Sequence, residues 1–216
     1  LHFDSKQEYQ LDAIKAITDI FEGQPLNAGD FEFSIQQNGA LHTENGFGNQ
    51  LSLTKDQVWE NVKTIQAQNE ITNVDVALHG MNFSVEMETG TGKTYVYLRT
   101  IFELNKLYGF KKFVIVVPSV AIREGVIKNI QITQEHFQNL YDRVQVNAEV
   151  YDSKKVSNLR GFAADNAIQV LVINIDSFAK DENVINKPYD RLTGKKPIEF
   201  IQSCNPIVIV DEPQNM

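Results

Sequence analysis

"EMETGTGKTY", residues 86–95, is the stretch that decides the fold. Its second half closes the pattern G-x-x-x-x-G-K-[ST], but Met87 stands where that pattern has its first glycine. Upstream, Met81, Phe83, Val85 and Met87 alternate with more polar residues, which predicts a short strand over 82–87 running into the loop. Downstream, Val96, Leu98, Ile101, Phe102, Leu104 and Leu107 recur at helical spacing. They predict a helix from about Lys93 to Tyr108, closed by Gly109 as a left-handed cap. Strand, glycine loop and helix are the setting in which backbone N–H groups converge on an anion at a positive helix end. Thr89, Gly90, Thr91, Gly92, Lys93 and Thr94 are then the ATP-binding residues. Lys93 reaches the β- and γ-phosphates, and the Thr94 hydroxyl is a ligand for Mg2+. A methionine at position 87 is compatible with this if its φ stays negative.

A second signal lies in "PIVIVDEPQNM", residues 206–216. Ile207, Val208, Ile209 and Val210 read as a strand buried on both faces, as in a parallel sheet. Two adjacent carboxylates at its end need a reason, since unpaired carboxylates near a core are costly. A magnesium nucleotide supplies one. Asp211 holds the metal through water, and Glu212 orients and deprotonates the attacking water. Catalysis is therefore assigned to Lys93, Asp211 and Glu212, with Thr94 and Asp211 on the metal.

Between the two signals the chain alternates. Strands are expected over 111–119, 143–151 and 168–176, and helices over 120–141, 159–164 and 197–204. The stripe of the long helix is Ile122, Val126, Ile130, Phe137 and Leu140. Such alternation is an α/β fold: a parallel sheet with right-handed crossovers and helices on both faces, ligands sitting at the strands' carboxyl ends. The first 80 residues differ and form an N-terminal extension, 1–80, ahead of an ATPase domain over 81–216. An amphipathic helix over 5–22 carries Leu11, Ile14, Ile17, Ile20 and Phe21 and is ended by Gly23 and Pro25. Residues 26–53, rich in Gly and Asn, suggest a small hairpin-like insertion or an irregular lobe. Thr54 is the N-cap of a helix over 55–68, packed through Val58, Trp59, Val62 and Ile65.

Composition excludes several classes. The 216 residues are 42% hydrophobic and 22% charged, ordinary for a globular chain. A single cysteine, Cys204, rules out a disulfide framework and fits a reducing cytoplasm. His2, His42, His79 and His136 lack metal-ligand spacing to one another. No apolar run approaches a membrane span, and the N-terminus has no signal-peptide core, so no membrane partner is expected. The net charge of −8 argues against a blanket polyanion binder and leaves room for a local basic patch.

The set "YQLDAI", "METGTGKT", "VVPSVAIREGV", "VINIDSF" and "VDEPQ" resembles the motor of superfamily-two helicases and translocases. More narrowly it resembles the Res subunit of type III restriction-modification enzymes, through the Pro-Ser-x-Ala-Ile-Arg-Glu-Gly run and the Asp-Glu-Pro-Gln box. The first position of the phosphate loop is often not glycine in that superfamily, so Met87 departs little. The resemblance implies the first of two RecA-like domains of an ATP-dependent translocase acting on double-stranded DNA. It also implies a second RecA-like domain and a nuclease domain beyond Met216, and a methyltransferase (Mod) partner. By position it assigns Gln10 to the adenine edge, with Gln7 as the alternative, because an amide offers both a donor and an acceptor. It assigns DNA-backbone contacts to Pro118, Ser119, Arg123, Asp176 and Ser177, and coupling to a second domain to Gln214. Arg123 keeps a second reading, an ion pair with a local carboxylate. Relatives carry a further strand between the phosphate-loop strand and the Asp-Glu strand, so residues 82–87 and 206–211 are expected not to pair directly. Other classes are a further superfamily-two helicase acting on DNA or RNA, a nucleotide kinase, and a nucleotide-binding module without catalysis. The Asp-Glu pair favours hydrolysis over a kinase.

Overall fold

The structure, a computed structural model, describes residues 3–35, 44–72, 78, 80–192 and 194–215. The chain forms two compact units, one of Leu1–Gly29 with Leu51–Gly109, the other of Asp30–Gln50 with Phe110–Met216. Compactness thus cuts the chain elsewhere than the motif-based division at residue 80, which stays a proposal about organisation.

The first unit is helical. Helix α1 (Glu8–Thr18) is shorter than the span expected over 5–22, and residues 19–21 tighten into a 3-10 turn. Asn61 Nδ2 donates to the Ile20 and Glu22 carbonyls at 3.0 and 2.9 Å, satisfying them from outside. Helix α2 (Lys55–Gln68) starts where expected, in a capping box. The Gln57 N–H donates to Thr54 Oγ1, and the Thr54 N–H donates to Gln57 Oε1. Val58 and Val62 pack with Ile20. Helix α3 (Lys93–Tyr108) has the expected bounds, with Gly92 and Gly109 in left-handed conformations at its two ends. Val96, Leu98, Ile101 and Leu104 are buried, and the Tyr108 hydroxyl donates to the Thr18 carbonyl at 2.9 Å.

The strand expected over 82–87 is not formed. Residues 82–88 have no regular structure, and Met81, Phe83 and Val85 are exposed. Alternation describes which face a segment would bury if a ladder partner lay beside it; among the described residues none does, so the backbone stays unladdered. Part of the upstream stretch, residues 77 and 79 with His79, lies outside the described residues, as do His2, His42 and Met216.

The second unit holds the sheets. The vague segment 26–53 contains a hairpin, β1 (Asp30–Ile35) antiparallel to β2 (Glu44–Asn49); its connection, 36–43, is outside the described residues. Phe31 faces Gly48 and Phe33 faces Gly46 across the ladder. A methyl group on Gly46 would come within 2.5 Å of the Phe33 ring, so the rings lie on bare backbone. The main sheet is parallel. It is built from β3 (Lys112–Val117), β4 (Val146–Val150), β5 (Ile168–Asn174) and β6 (Ile207–Val210) in the order β4-β5-β3-β6. Helices α4 (Val120–Leu140), α5 (Leu159–Ala164) and α6 (Pro197–Ser203) connect these strands, giving the RecA-like α/β fold. Central β3 and β5 are buried almost throughout, as their largely apolar runs require. Two expectations need correction. In β6 only alternate residues turn inward, and Val208 and Val210 are 54% and 45% exposed. β6 is the edge strand here, and an unbroken apolar run does not specify whether its second face is covered. On α4, Leu140 is exposed and Thr133 is buried in the stripe instead, its hydroxyl returned to the Asn129 carbonyl at 2.7 Å.

Asn49, at the end of β2, fixes the hairpin to the sheet. Its Oδ1 accepts from the Lys111 and Lys112 amides at 2.8 and 3.0 Å, and its Nδ2 donates to the Lys112 carbonyl at 2.7 Å. Lys112 itself is fully buried. Its ammonium donates to the carbonyls of Phe162, Ala163 and Asp165, the open C-terminal end of α5. Burial nevertheless pulls its pKa down to about 8.

Candidate functional site

The candidate phosphate loop belongs to the first unit. Gly90 and Gly92 have φ of 82° and 85°, a region that a Cβ would penalise, and Met87 is not among the residues with positive φ. The methionine at the first loop position is therefore conformationally acceptable. Thr91 lies between the two glycines. Its hydroxyl donates to the Glu88 carbonyl at 2.6 Å. The Lys93 ammonium curls over the loop and donates to the Met87 and Glu88 carbonyls at 3.2 and 3.4 Å. Thr89 and Gly90 are exposed, while Thr91, Gly92, Lys93 and Thr94 are half-buried. Thr94 falls in the first turn of α3, whose N-terminal N–H groups are free of intrahelical partners by construction.

Gln10 is only 8% exposed on α1, and its amide donates to the Thr91 carbonyl at 2.9 Å. The N-terminal segment is tied to α3 at further points. Arg99 donates to the Ser5 carbonyl at 2.7 Å, and Phe3 stacks on Tyr95. Gln7, the alternative for adenine, instead accepts from the Tyr9 hydroxyl.

The Asp-Glu box belongs to the second unit. The Asp211 N–H donates to the Val116 carbonyl at 2.9 Å, extending the β3–β6 ladder to the carboxyl end of β6. Glu212 follows with φ of 53°, left-handed without being glycine. Residues 213–215 form a 3-10 turn that leaves Gln214 exposed.

At the carboxyl ends of β4 and β5 lies a groove of about 680 Å³. Arg123 and Ser177, both predicted DNA contacts, line it together with Tyr151, Ser153, Lys155 and Asn158. Two carboxylates, Glu149 and Asp152, share it, so its charge is mixed rather than uniformly basic. Burial and the neighbouring Asp152 push the Tyr151 phenol up to about 12, leaving a neutral hydroxyl. Pro118 is half-buried just after β3. Ser119 is the N-cap of α4, its Oγ accepting from the Ile122 amide, which leaves its O–H available as a donor. Arg123 does pair locally, through Nε and Nη2 with Glu124 Oε1 at 3.2 and 2.8 Å. Asp176 is exposed on the turn after β5. That turn is held by Asn183, whose amide donates to the Asp176 and Ser177 carbonyls at 2.8 and 3.1 Å. Asn183 was not singled out in the sequence, where a lone Asn in a polar stretch carries no spacing signal.

Among the described residues no three His, Cys, Asp or Glu side chains cluster to hold a metal, and no helix is long and apolar enough to cross a membrane. Thr94, at the start of α3, offers a hydroxyl oxygen and Asp211, at the end of β6, a carboxylate oxygen, each a donor type that suits Mg2+.

The chain is 33% identical over 189 residues to the type III restriction-modification enzyme EcoP15I Res subunit of Escherichia coli, covering 76% of this chain and 19% of that protein. Identity and coverage are the same for the EcoPI Res subunit of Escherichia phage P1. With the StyLTI Res subunit of Salmonella typhimurium it is 36% identical over 152 residues, 61% of this chain and 15% of that protein. The chain thus spans about a fifth of the length of the relatives it matches. The family model described as type III restriction enzyme, res subunit, matches residues 5–213, and with nearly the whole chain inside it this protein belongs to that family.

Proposed function

We propose that this chain binds and hydrolyses ATP as the motor part of a type III restriction endonuclease, driving movement along double-stranded DNA. The observation that carries this reading is the loop itself: two left-handed glycines lead directly into a 16-residue helix, with Lys93 folded over the loop. In this reading the N–H groups at the start of α3 and the Lys93 ammonium neutralise the β- and γ-phosphates. Thr94 and Asp211 are the residues that would hold Mg2+, which when bound lowers the charge on the phosphates. Glu212 accepts the proton of the attacking water, Gln10 meets the adenine edge, and Gln214 faces a second motor domain. The groove at the carboxyl ends of β4 and β5 is the seat for a DNA backbone, with Ser119, Arg123, Ser177 and the turn at Asp176 contributing polar contacts. A methyltransferase subunit that reads the DNA site completes the assembly. The test is ATP hydrolysis by the full-length protein with and without duplex DNA. Lys93→Ala should abolish it; near-normal turnover in that variant would refute the assignment.

A further inference from the structure

Thr91 lies between the two left-handed glycines, and its carbonyl is held by the Gln10 amide at 2.9 Å. A trans peptide unit is planar, with its C=O and the following N–H pointing in opposite directions. Whatever holds the Thr91 carbonyl therefore also aims the Gly92 N–H, here away from α1. The Gly92 N–H is one of the donors at the head of α3, where a phosphate would be received. This peptide rotates through Thr91 ψ and Gly92 φ, and Gly92 has no Cβ to restrict its side of that rotation. Gln10 removes that freedom. A methyl group on Gly92 would approach Gln10 Nε2 to 2.7 Å, so the side chain and the loop backbone are in close register. Gln10 is buried, and α1 is fixed to α3 by the Tyr108–Thr18 hydrogen bond, while the segment before it is fixed by Arg99.

We infer that Gln10 is a positioning residue for the phosphate loop: it sets the direction of the Gly92 N–H, independently of any contact with the base. One N–H of its amide is committed to Thr91, and the other N–H and Oε1 are what remain for adenine. This inference rests on the ATP-binding reading and adds to it. A residue that only reads the base affects ligands that have a base. A residue that aims the loop affects every polyphosphate.

The experiment compares binding of Mg·ATP, Mg·GTP and inorganic tripolyphosphate to the full-length protein by calorimetry. The variants are Gln10→Met, which keeps length and packing but lacks the donor, and Gln10→Glu, which keeps shape but presents oxygens to the Thr91 carbonyl. We expect both to lose roughly ten- to hundredfold in affinity for all three ligands, tripolyphosphate included, with any further loss for ATP reporting the adenine contact and the melting temperature unchanged. Loss confined to ATP, with tripolyphosphate unaffected, would overturn the inference and leave Gln10 as a base reader. Unchanged binding of all three would overturn it too. A loss accompanied by unfolding of the methionine variant would show a core contact instead. Wild-type protein that bound none of the three would refute the nucleotide reading itself, and the inference with it.

Discussion

Glu212 carries φ of 53°, a backbone state that costs a non-glycine residue on the order of 1 kcal/mol. The adjacent Asp211 completes the ladder with Val116, so the chain changes direction between the two carboxylates. Each is thereby given a different environment, which fits the different roles proposed for them. Glu212→Gln should bind Mg·ATP almost normally and hydrolyse it roughly a hundredfold more slowly. Asp211→Asn should weaken binding only when Mg2+ is present. Titrations with and without the metal, set beside single-turnover rates, separate the two; reversed phenotypes would mean reversed roles. The loop's left-handed glycines and the helix behind them were legible because turn and helix signals are written in residue type and spacing. The φ of Glu212, the Gln10–Thr91 bond and the grip of Asn183 were not. Each depends on where the backbone goes in space, and Gln10 and Thr91 are 81 positions apart in the chain.

Elements were legible where their ends are decided locally. Thr54 with Gln57 and Gly109 act within one turn, and both helix ends stand where the sequence puts them. Thr54→Ala should cost about 1 kcal/mol of stability, read by urea denaturation, because it orphans the Gln57 amide and breaks the reciprocal box. A change below a few tenths would mean that α2 is held by its packing alone. Elements were misread where a neighbour decides. The alternation through Met81 to Met87 and the four β-branched residues of β6 state what each segment can bury, and only a partner or a covering layer makes them do so. The short β1–β2 hairpin is only a tendency in the sequence, since the single Asn-Gly between its strands is set in a long polar stretch that fits several turn types.

Charge acts on the whole molecule. With a net charge of −8, any affinity for DNA must come from a local surface, and the groove offers Arg123 and Lys155 beside two carboxylates. Duplex binding by the full-length protein should therefore fall with salt. Arg123→Ala and Lys155→Ala should each flatten the slope of log affinity against log salt by about 1, equally for all sequences. An unchanged slope would remove the groove from the DNA path. Stability carries its own pH signature. Lys112 has a folded pKa near 8 against an ordinary 10.5, so between those values the unfolded chain binds the extra proton and stability rises with pH. Burial pushes the Cys204 thiol from 9.0 up to about 12, so above about pH 9 its contribution falls as the unfolded thiol ionises first. From pH 8 to 9 the melting temperature should climb in the wild type and stay flat in Lys112→Met. A parallel climb in both would assign the effect to another group.

The phenylalanines lying on Gly46 and Gly48 act as index marks. A hairpin can slide by two residues and still keep its faces correct, which makes such a slip hard to prevent by hydrophobicity alone. Here the slide is penalised from either direction. Moved one way, Phe31 would have to lie over Gln50; moved the other, Phe33 would meet Glu44. Only one alignment gives each ring a bare stretch of backbone. That alignment is also the one that brings Asn49 level with the first residues of the buried central strand. Two side chains without any chemistry of their own thus set the reading frame in which the hairpin and the parallel sheet are joined.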